Sequence, residues 1–417
     1  MMILLQIFEM LIANLFVSAL SIYLFRVFRT NIRHLDIPIF GFFWIYTTTL
    51  YAFVLGIFGL LEPHRIAIIS LIGIIILVIL EFRKRRVKQK SFSLHLPKLR
   101  VPKSLLGIIL CVLAFLQLMR ILFHIWYIPP YVWDTVVYHL VNVAEWIQKQ
   151  SIHAVTSPVG RVYWPATFEV LEAWFVVFLH HDIVVQVPSF LCYLVAGASA
   201  YALARVLQIN KLLSAAAALF YLFTPSLAIH ATSCNTDLPV AAPYLLSVAI
   251  LLDLLINGRR ENFPLANQML IVMMALSFGF GAKAYTAFIS PAPILIFFVA
   301  AWKHRLFGDL WNLLRFRNLS STARTILCIV LIAGSVLLGF YWLIRNFIVF
   351  DNPFHPTDFR VFDHLIFGTG DAPQFGQGQR GSVSINSMWQ NAFTLVTDKI
   401  FDKHATFTSD LGNMSGW

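Results

Sequence analysis

Four ionisable side chains stand where an otherwise apolar chain turns polar: Asp134 in "YIPPYVWDTVVYHLVNVAEWIQKQ", Asp237 in "HATSCNTDLPVAAPYLL", Lys283 in "FGFGAKAYTAF" and Arg345 in "GFYWLIRNFIVFDNPFHP". A carboxylate at a water boundary can take a proton from a hydroxyl. A lysine can hold a phosphate as a point charge. Each residue also has a plainer reading. Asp134 and Asp237 could cap the helices that begin beside them, Pro239 suiting the first turn of the second. Lys283 could snorkel to the membrane rim, since an ammonium at mid-bilayer costs about 2.5–3.5 kcal/mol. Arg345, beside Asn346 and flanked by Trp342, Phe347 and Phe350, could be an interfacial anchor. Arg161, in "SPVGRVYWP", is a further cation of the same kind.

The elements that must position these groups follow from spacing. From Thr135 onward Val137, Leu140, Val141, Ala144 and Ile147 recur at helical intervals, with Tyr138, Asn142, Glu145 and Lys149 opposite. The pattern predicts an amphipathic helix lying on an outer surface, with the Pro129-Pro130 turn fixing Asp134 at its mouth and Tyr138 one turn on. Asp134 and Glu145 do not form a glycosidase-like acid pair. Eleven residues at 1.5 Å rise separate them by roughly 16 Å, beyond the ~5–9.5 Å such pairs need. Trp133, Tyr138, Trp146, Tyr163 and Trp164 could stack on sugar rings, although a belt of Trp and Tyr is the commoner arrangement at a membrane interface.

Of 417 residues, 59% are hydrophobic and 12% charged, and the mean hydropathy is +0.75. That balance defines an all-α polytopic membrane protein, and apolar runs of about 17–25 residues give about ten spans. They fall near 3–25, 37–61, 66–82, 104–127, 183–204, 212–229, 238–257, 264–281, 286–302 and 325–344. The first lacks the basic region and cleavage site of a secretory signal and is expected to remain as a helix. Cys111, Cys192 and Cys328 fall inside spans and Cys234 in a loop, so neither a disulfide framework nor a thiolate metal site follows.

A net charge of +11 raises the question of a nucleic-acid partner, and the position of the charges answers it. Of the 31 Lys and Arg, 21 lie in five loops, 26–34, 83–103, 205–211, 258–263 and 303–324. The positive-inside rule turns these to the cytoplasm and the N-terminus outward, so the charge reports orientation, with no nucleic acid implied. The run 166–180 is apolar but short and contains Glu169 and Glu172. If it crossed the membrane, nine bases of the later loops would move outside, so it is expected in the interface or re-entering from the outer face.

Three regions follow: 1–103, a three-helix membrane segment with a basic loop; 104–350, a membrane core with an external loop over 129–182; and 351–417, an external polar region. The last is rich in Gly, Pro and Asp, with an amphipathic helix expected near 385–401. It stops at "GNMSGW" without a closing helix, as expected of a shortened form of something longer. No internal repeat is evident. Asp134, Asp237, Lys283 and Arg345 all emerge on the outer side.

The stretches "WDTVVYHLVNVAEWIQKQSI", "YWPATFEVLEAWFVVFLHHD", "CNTDLPVAAPYLL", "GAKAYTAF" and "WLIRNFIVFDNPFHP", in this order over about residues 105–390, resemble bacterial membrane glycosyltransferases of the GT-C class. These are relatives of the dolichyl-phosphate-mannose protein mannosyltransferases. The three leading helices lie outside the resemblance. It implies a GT-C-like fold and an essential acidic residue in the first external loop, matched by Asp134. It further implies transfer of a sugar from a polyprenyl-phosphate-linked donor to an acceptor outside the cytoplasm, in the plasma membrane. A single Asp in "WDT", where some relatives carry an Asp-x-Asp or Asp-Glu pair, leaves a divalent metal open, and no cofactor is required. His139 and His230, two histidines without a ligand spacing, are expected to be structural.

Read through that resemblance, Asp134 would be the general base, with Tyr138 and Glu145 positioning substrate and Asp237 and Asn346 beside them. Lys283, Arg345 and Arg161 would stabilise the leaving phosphate. The partners are then the lipid-linked sugar, the bilayer and an unknown glycan, lipid or protein acceptor of the cell envelope. A transporter or flippase of a lipid-linked sugar or anionic lipid is the alternative, and would want ionisable residues near mid-membrane and interrupted helices. A noncatalytic lipid-binding subunit is a third.

Overall fold

The computed structural model describes residues 2–30, 32–87, 104–157, 159–261, 263–308, 322–361, 364–368 and 382–384. The helices are α1 (Met2–Phe28), α2 (Arg33–Ile57), α3 (Pro63–Val87), α4 (Leu105–Tyr127), α5 (Leu140–Lys149), α6 (Thr167–Val176), α7 (Val187–Val206), α8 (Lys211–Leu222), α9 (Pro225–His230), α10 (Asp237–Asn257), α11 (Leu265–Ala282), α12 (Thr286–Ile289), α13 (Pro291–Lys303) and α14 (Thr322–Phe350). A π-helical turn, Thr135–His139, leads into α5. Beyond α14 lie three short strands, β1 (Asp358–Val361), β2 (His364–Phe367) and β3 (Ser382–Ser384), in the order β2-β1-β3, with β1 antiparallel to β2 and parallel to β3. The sequence gives no expectation of this small sheet, and the helix expected near 385–401 lies outside the described residues.

Eight helical segments among the described residues are long and apolar enough to cross a membrane: Ile3–Phe28, Arg33–Ile57, Leu105–Tyr127, Asp182–Val206, Asp237–Asn257, Leu265–Ala282, Thr286–Lys303 and Arg324–Phe350. The other two expected spans are shorter apolar stretches, Pro63–Ile79 and Lys211–Leu222. The span expected over 212–229 divides because Pro225 has no amide hydrogen and forces Thr224 into an extended conformation (ψ 124°), ending α8 and starting α9. The chain is thus a multi-helix apolar protein of the polytopic membrane type. Its outer helices expose Leu4, Leu15, Ile72, Leu105, Phe123 and Trp302, an apolar surface far beyond what a water-soluble monomer shows.

α2, α7, α10 and α11 form the buried centre, whereas α1, α4 and α13 are mostly exposed. Every residue of α6 from Thr167 to Trp174 is buried, so this short helix, expected in the interface or re-entering from the outer face, is enclosed by protein, against α2, α5, α11 and α7. A run too short to span yet apolar enough for a core ends as a buried element.

Charge separates along the bundle. Arg260 forks onto Asp253 (Nη2–Oδ1 2.7 Å, Nε–Oδ2 3.0 Å). His34 lies within electrostatic reach of that pair and of Arg205, and Lys303 and His304 bond the Leu255 carbonyl. Four of the five basic loops therefore meet at one end. The fifth, 83–103, lies outside the residues whose side chains are described. Asp237 begins α10 sixteen residues before Asp253, about 24 Å away at the helical rise, and marks the other end.

Candidate active site

The chain leaves α4 at Ile128, extends through Pro129-Pro130 and becomes helical at Trp133. The face it buries matches the apolar pattern only in part, with Ile147 buried but Tyr138 and Asn142 buried too. Thr135, Tyr138, His139, Asn142, Val143, Trp146 and Ile147 point inward, while Val136, Val137, Leu140, Val141 and Ala144 are exposed or half-buried. Beside lipid, apolar residues can face outward, and the polar face is the one that needs protein partners. Asn142 donates to the Val162 carbonyl (3.2 Å), and Trp146 donates to the His153 carbonyl (2.9 Å) and stacks on Trp342 (5.6 Å). Trp146 is therefore a core residue, neither belt nor sugar platform.

Neither aspartate caps its helix. Asp134 makes no capping bond and instead accepts from Arg161 Nη1 at 2.9 Å. The Arg161 guanidinium lies among the rings of Trp133, Tyr138 and Trp164, 5.5–5.7 Å from their centroids. Burial, and next the Asp134 charge, raise the pKa of the Tyr138 phenol, so it stays protonated beside the carboxylate. Asp237 in the same way accepts from Lys283 Nζ at 2.9 Å. Its other oxygen lies 4.0 Å from His230 Nδ1, and Asn235 links His230 (3.5 Å) to Thr135 (3.3 Å). Burial pushes the His230 pKa down, with Asp237 opposing and Lys283 assisting. Burial and then Asp237 raise Tyr285, whose ring lies 5.1 Å from Lys283 Nζ, to about 12.

Arg345 and Asn346 are occupied otherwise. Arg345 is buried, 4.9 Å from the Trp342 ring, and its Nη2 donates to the Tyr163 carbonyl (2.8 Å) and to Asn346 Oδ1 (2.7 Å). Asn346 Nδ2 donates to the same Tyr163 carbonyl (3.0 Å) and to that of His355 (3.3 Å). These two side chains tie the loop carrying Arg161 to the end of α14 rather than offering a free cation. Glu145 makes no ion pair or side-chain hydrogen bond among the described residues and is not brought to Asp134.

Two groups escape the sequence reading. His139, expected to be merely structural, meets Glu169 of α6 at 2.5 Å between Nδ1 and Oε1, both buried, and lies within electrostatic reach of Asp237. The signal was the pair of carboxylates three apart in the short apolar run 166–180. Glu172, the second of them, is fully buried with neither oxygen hydrogen-bonded. Burial, then Glu169, raises its pKa well above the usual carboxylate range. Among the described residues no three His, Cys, Asp or Glu are grouped to hold a metal ion.

The arrangement offers a carboxylate and a neutral phenol beside two cations, at the end of the bundle opposite the basic loops. Asp134 and Arg161 come from the one segment between α4 and α6, Asp237 and Lys283 from two separate helix ends. Such a set can accept a proton and stabilise a developing anion. Comparison of the chain with protein-family models, with curated proteins and with solved structures finds no match.

Proposed function

We propose that the chain is a membrane glycosyltransferase, moving a hexosyl or pentosyl group from a polyprenyl-phosphate donor to an acceptor hydroxyl on the extracytoplasmic side. One observation supports this reading above the others. Asp134, Arg161, Asp237 and Lys283, spread over 150 residues of sequence, gather at one end of an apolar bundle as two ion pairs. Asp134 takes the acceptor proton, the acceptor oxygen bonds to the anomeric carbon, and the bond from that carbon to the lipid phosphate breaks with its electron pair on the phosphate. Arg161 and Lys283 neutralise that leaving charge. Arg345 and Asn346 hold the loop, and Tyr138 orients the base. His139, held by Glu169, stands ready beside Asp237.

The test is Asp134→Asn assayed with a radiolabelled polyprenyl-phosphate sugar in membranes. Loss of a general base lowers turnover about 10²- to 10⁴-fold; unchanged turnover in a stably inserted variant removes Asp134 from the role. A lipid-translocating reading is favoured by two features, Arg120 within α4 and the break between α8 and α9. It requires the intact lipid-linked sugar to change leaflets without cleavage, which the same membranes report.

A further inference from the structure

Glu169 and Glu172 stand one helical turn apart on α6, where every residue from Thr167 to Trp174 is buried. Their surroundings set them apart. Glu169 meets His139 Nδ1 at 2.5 Å, whereas neither oxygen of Glu172 has a hydrogen bond. Two carboxylates this close in a dry interior do not both ionise. The one without a partner keeps its proton, as burial and then the Glu169 charge direct. Glu169 is therefore the one left charged to hold the imidazole. Carboxyl groups divided in this way by their environments mark acid and base roles.

Taken alone, the bridge from His139 to Glu169 ties the turn before α5 to α6 and nothing more. The second ring nitrogen argues for more than a tie. His139 lies one turn after Thr135 on the buried side of that turn. Thr135 bonds Asn235, which reaches His230 beside Asp237, and His139 itself lies within electrostatic reach of the Asp237 carboxyl. A carboxylate on Nδ1 fixes the tautomer and turns Nε2 the other way. Nε2 makes no hydrogen bond among the described residues, yet it is not one of the polar atoms sealed from solvent without a partner. The titratable groups around the ring are Tyr138 from its own turn, with ring centroids 4.1 Å apart, and Glu169 from α6 with Glu172 behind it. From the start of α10 comes Asp237, which carries Lys283 on one oxygen and His230 near the other.

We propose that His139 is a second proton-transfer residue of this pocket, aligned by Glu169 and acting through Nε2 on an anion held by Lys283. Glu169 and Glu172 are positioning residues, one holding the ring and the other staying neutral so that the first keeps its charge. That the anion is the departing lipid phosphate rests on the transferase reading. In that step the phosphate oxygen leaves the anomeric carbon with the bonding pair, the Nε2–H bond breaks and an O–H bond forms on the phosphate. The acceptor proton sits meanwhile on Asp134, and exchange through water returns one proton to His139.

The test has two readouts. In membranes given a radiolabelled polyprenyl-phosphate sugar, His139→Gln lowers turnover about 10²-fold or more. Glu169→Gln keeps the shape and an accepting oxygen but loses the charge, so turnover falls off at lower pH than in the wild type, because an imidazole without its anion gives up its proton sooner. Glu169→Asp restores that limb in part. A structural tie would lower turnover at every pH and shift nothing. The other readout is nitrogen NMR of the full chain purified in detergent with isotope-labelled histidine, the His139 signals being those lost in His139→Gln. They are expected to titrate between about pH 5 and 9, and at higher pH in Lys283→Met, which removes a neighbouring cation. Unchanged turnover in stably inserted His139→Gln, an unshifted limb in Glu169→Gln, or His139 signals that do not titrate or that ignore Lys283 overturn the proposal. Should the wild type cleave no donor, the transferase reading falls and the titration alone decides for or against His139. Cleavage with His139 silent in both readouts leaves the transferase standing without it.

Discussion

Asp134 and Asp237 each face a cation at 2.9 Å with two-fifths of their side-chain surface open. Ion pairs this open contribute only about 0–1 kcal/mol to stability, so they are poor fasteners and good candidates for chemistry. Lys283→Met is therefore expected to leave the melting temperature nearly unchanged while lowering donor turnover about 10²- to 10³-fold, the usual loss when a preorganised stabilising charge is removed. A large melting shift with normal turnover would make the pair structural. Glu172 gives the opposite case. Because its pKa is raised by burial, the folded state holds a proton that the unfolded chain gives up above about pH 4.5. Stability must then fall as pH rises from there toward the folded value. Glu172→Gln should flatten this pH dependence in thermal melts and stabilise the protein at neutral pH; an unchanged slope rejects a protonated Glu172. The aspartates and Lys283 could be picked out from sequence because charge at the edge of an apolar run is conspicuous. Their mutual pairing could not, since nothing in "CNTDLP" or "GAKAY" specifies the other.

Three elements meet where α6, α11 and α14 touch. A β-carbon on Gly281 would strike the Leu338 carbonyl and stand 2.5 Å from Thr167 Oγ1. Thr167 donates to that same carbonyl (2.7 Å) and accepts from Trp342 Nε1 (2.8 Å). Gly281→Ala should consequently destabilise by about 1–3 kcal/mol or more, as overpacking against backbone does. It should also impair turnover, because α14 carries Arg345 and α11 leads to Lys283. A variant with wild-type melting would show that the helices part easily. The long helices were readable to within a few residues because span length is set by hydrocarbon thickness. The α5 face was read only in part: Ile147 is buried and Lys149 exposed as the pattern suggests, but Tyr138 and Asn142, read as the outer face, are buried. The burial of α6 was not legible, because Glu169 and Glu172 suggest solvent until His139 is seen to pair with the first of them.

For the molecule as a whole, the basic end at Asp253–Arg260 and the end at Asp237–Lys283 should lie across the membrane from one another. In a background without the four native cysteines, Gln148→Cys is expected to react with an impermeant maleimide in intact cells. Gln208→Cys should react only after permeabilisation. Labelling of both from one side dismantles the topology and, with it, a shared external site. The charge bias was plain in the sequence, whereas the meeting of four of its five basic loops at one end of the bundle was not, because loops far apart in the chain do not name their neighbours. The outward-turned valines of the turn leading into α5 carry a last implication. A helix that shows apolar side chains to its surroundings suits the level of the headgroups better than the water above them. On the proposed transferase reading, a fat-soluble reactant would arrive sideways from the bilayer while a water-borne one descends from above. The two would meet at Asp134 without ever competing for the same doorway.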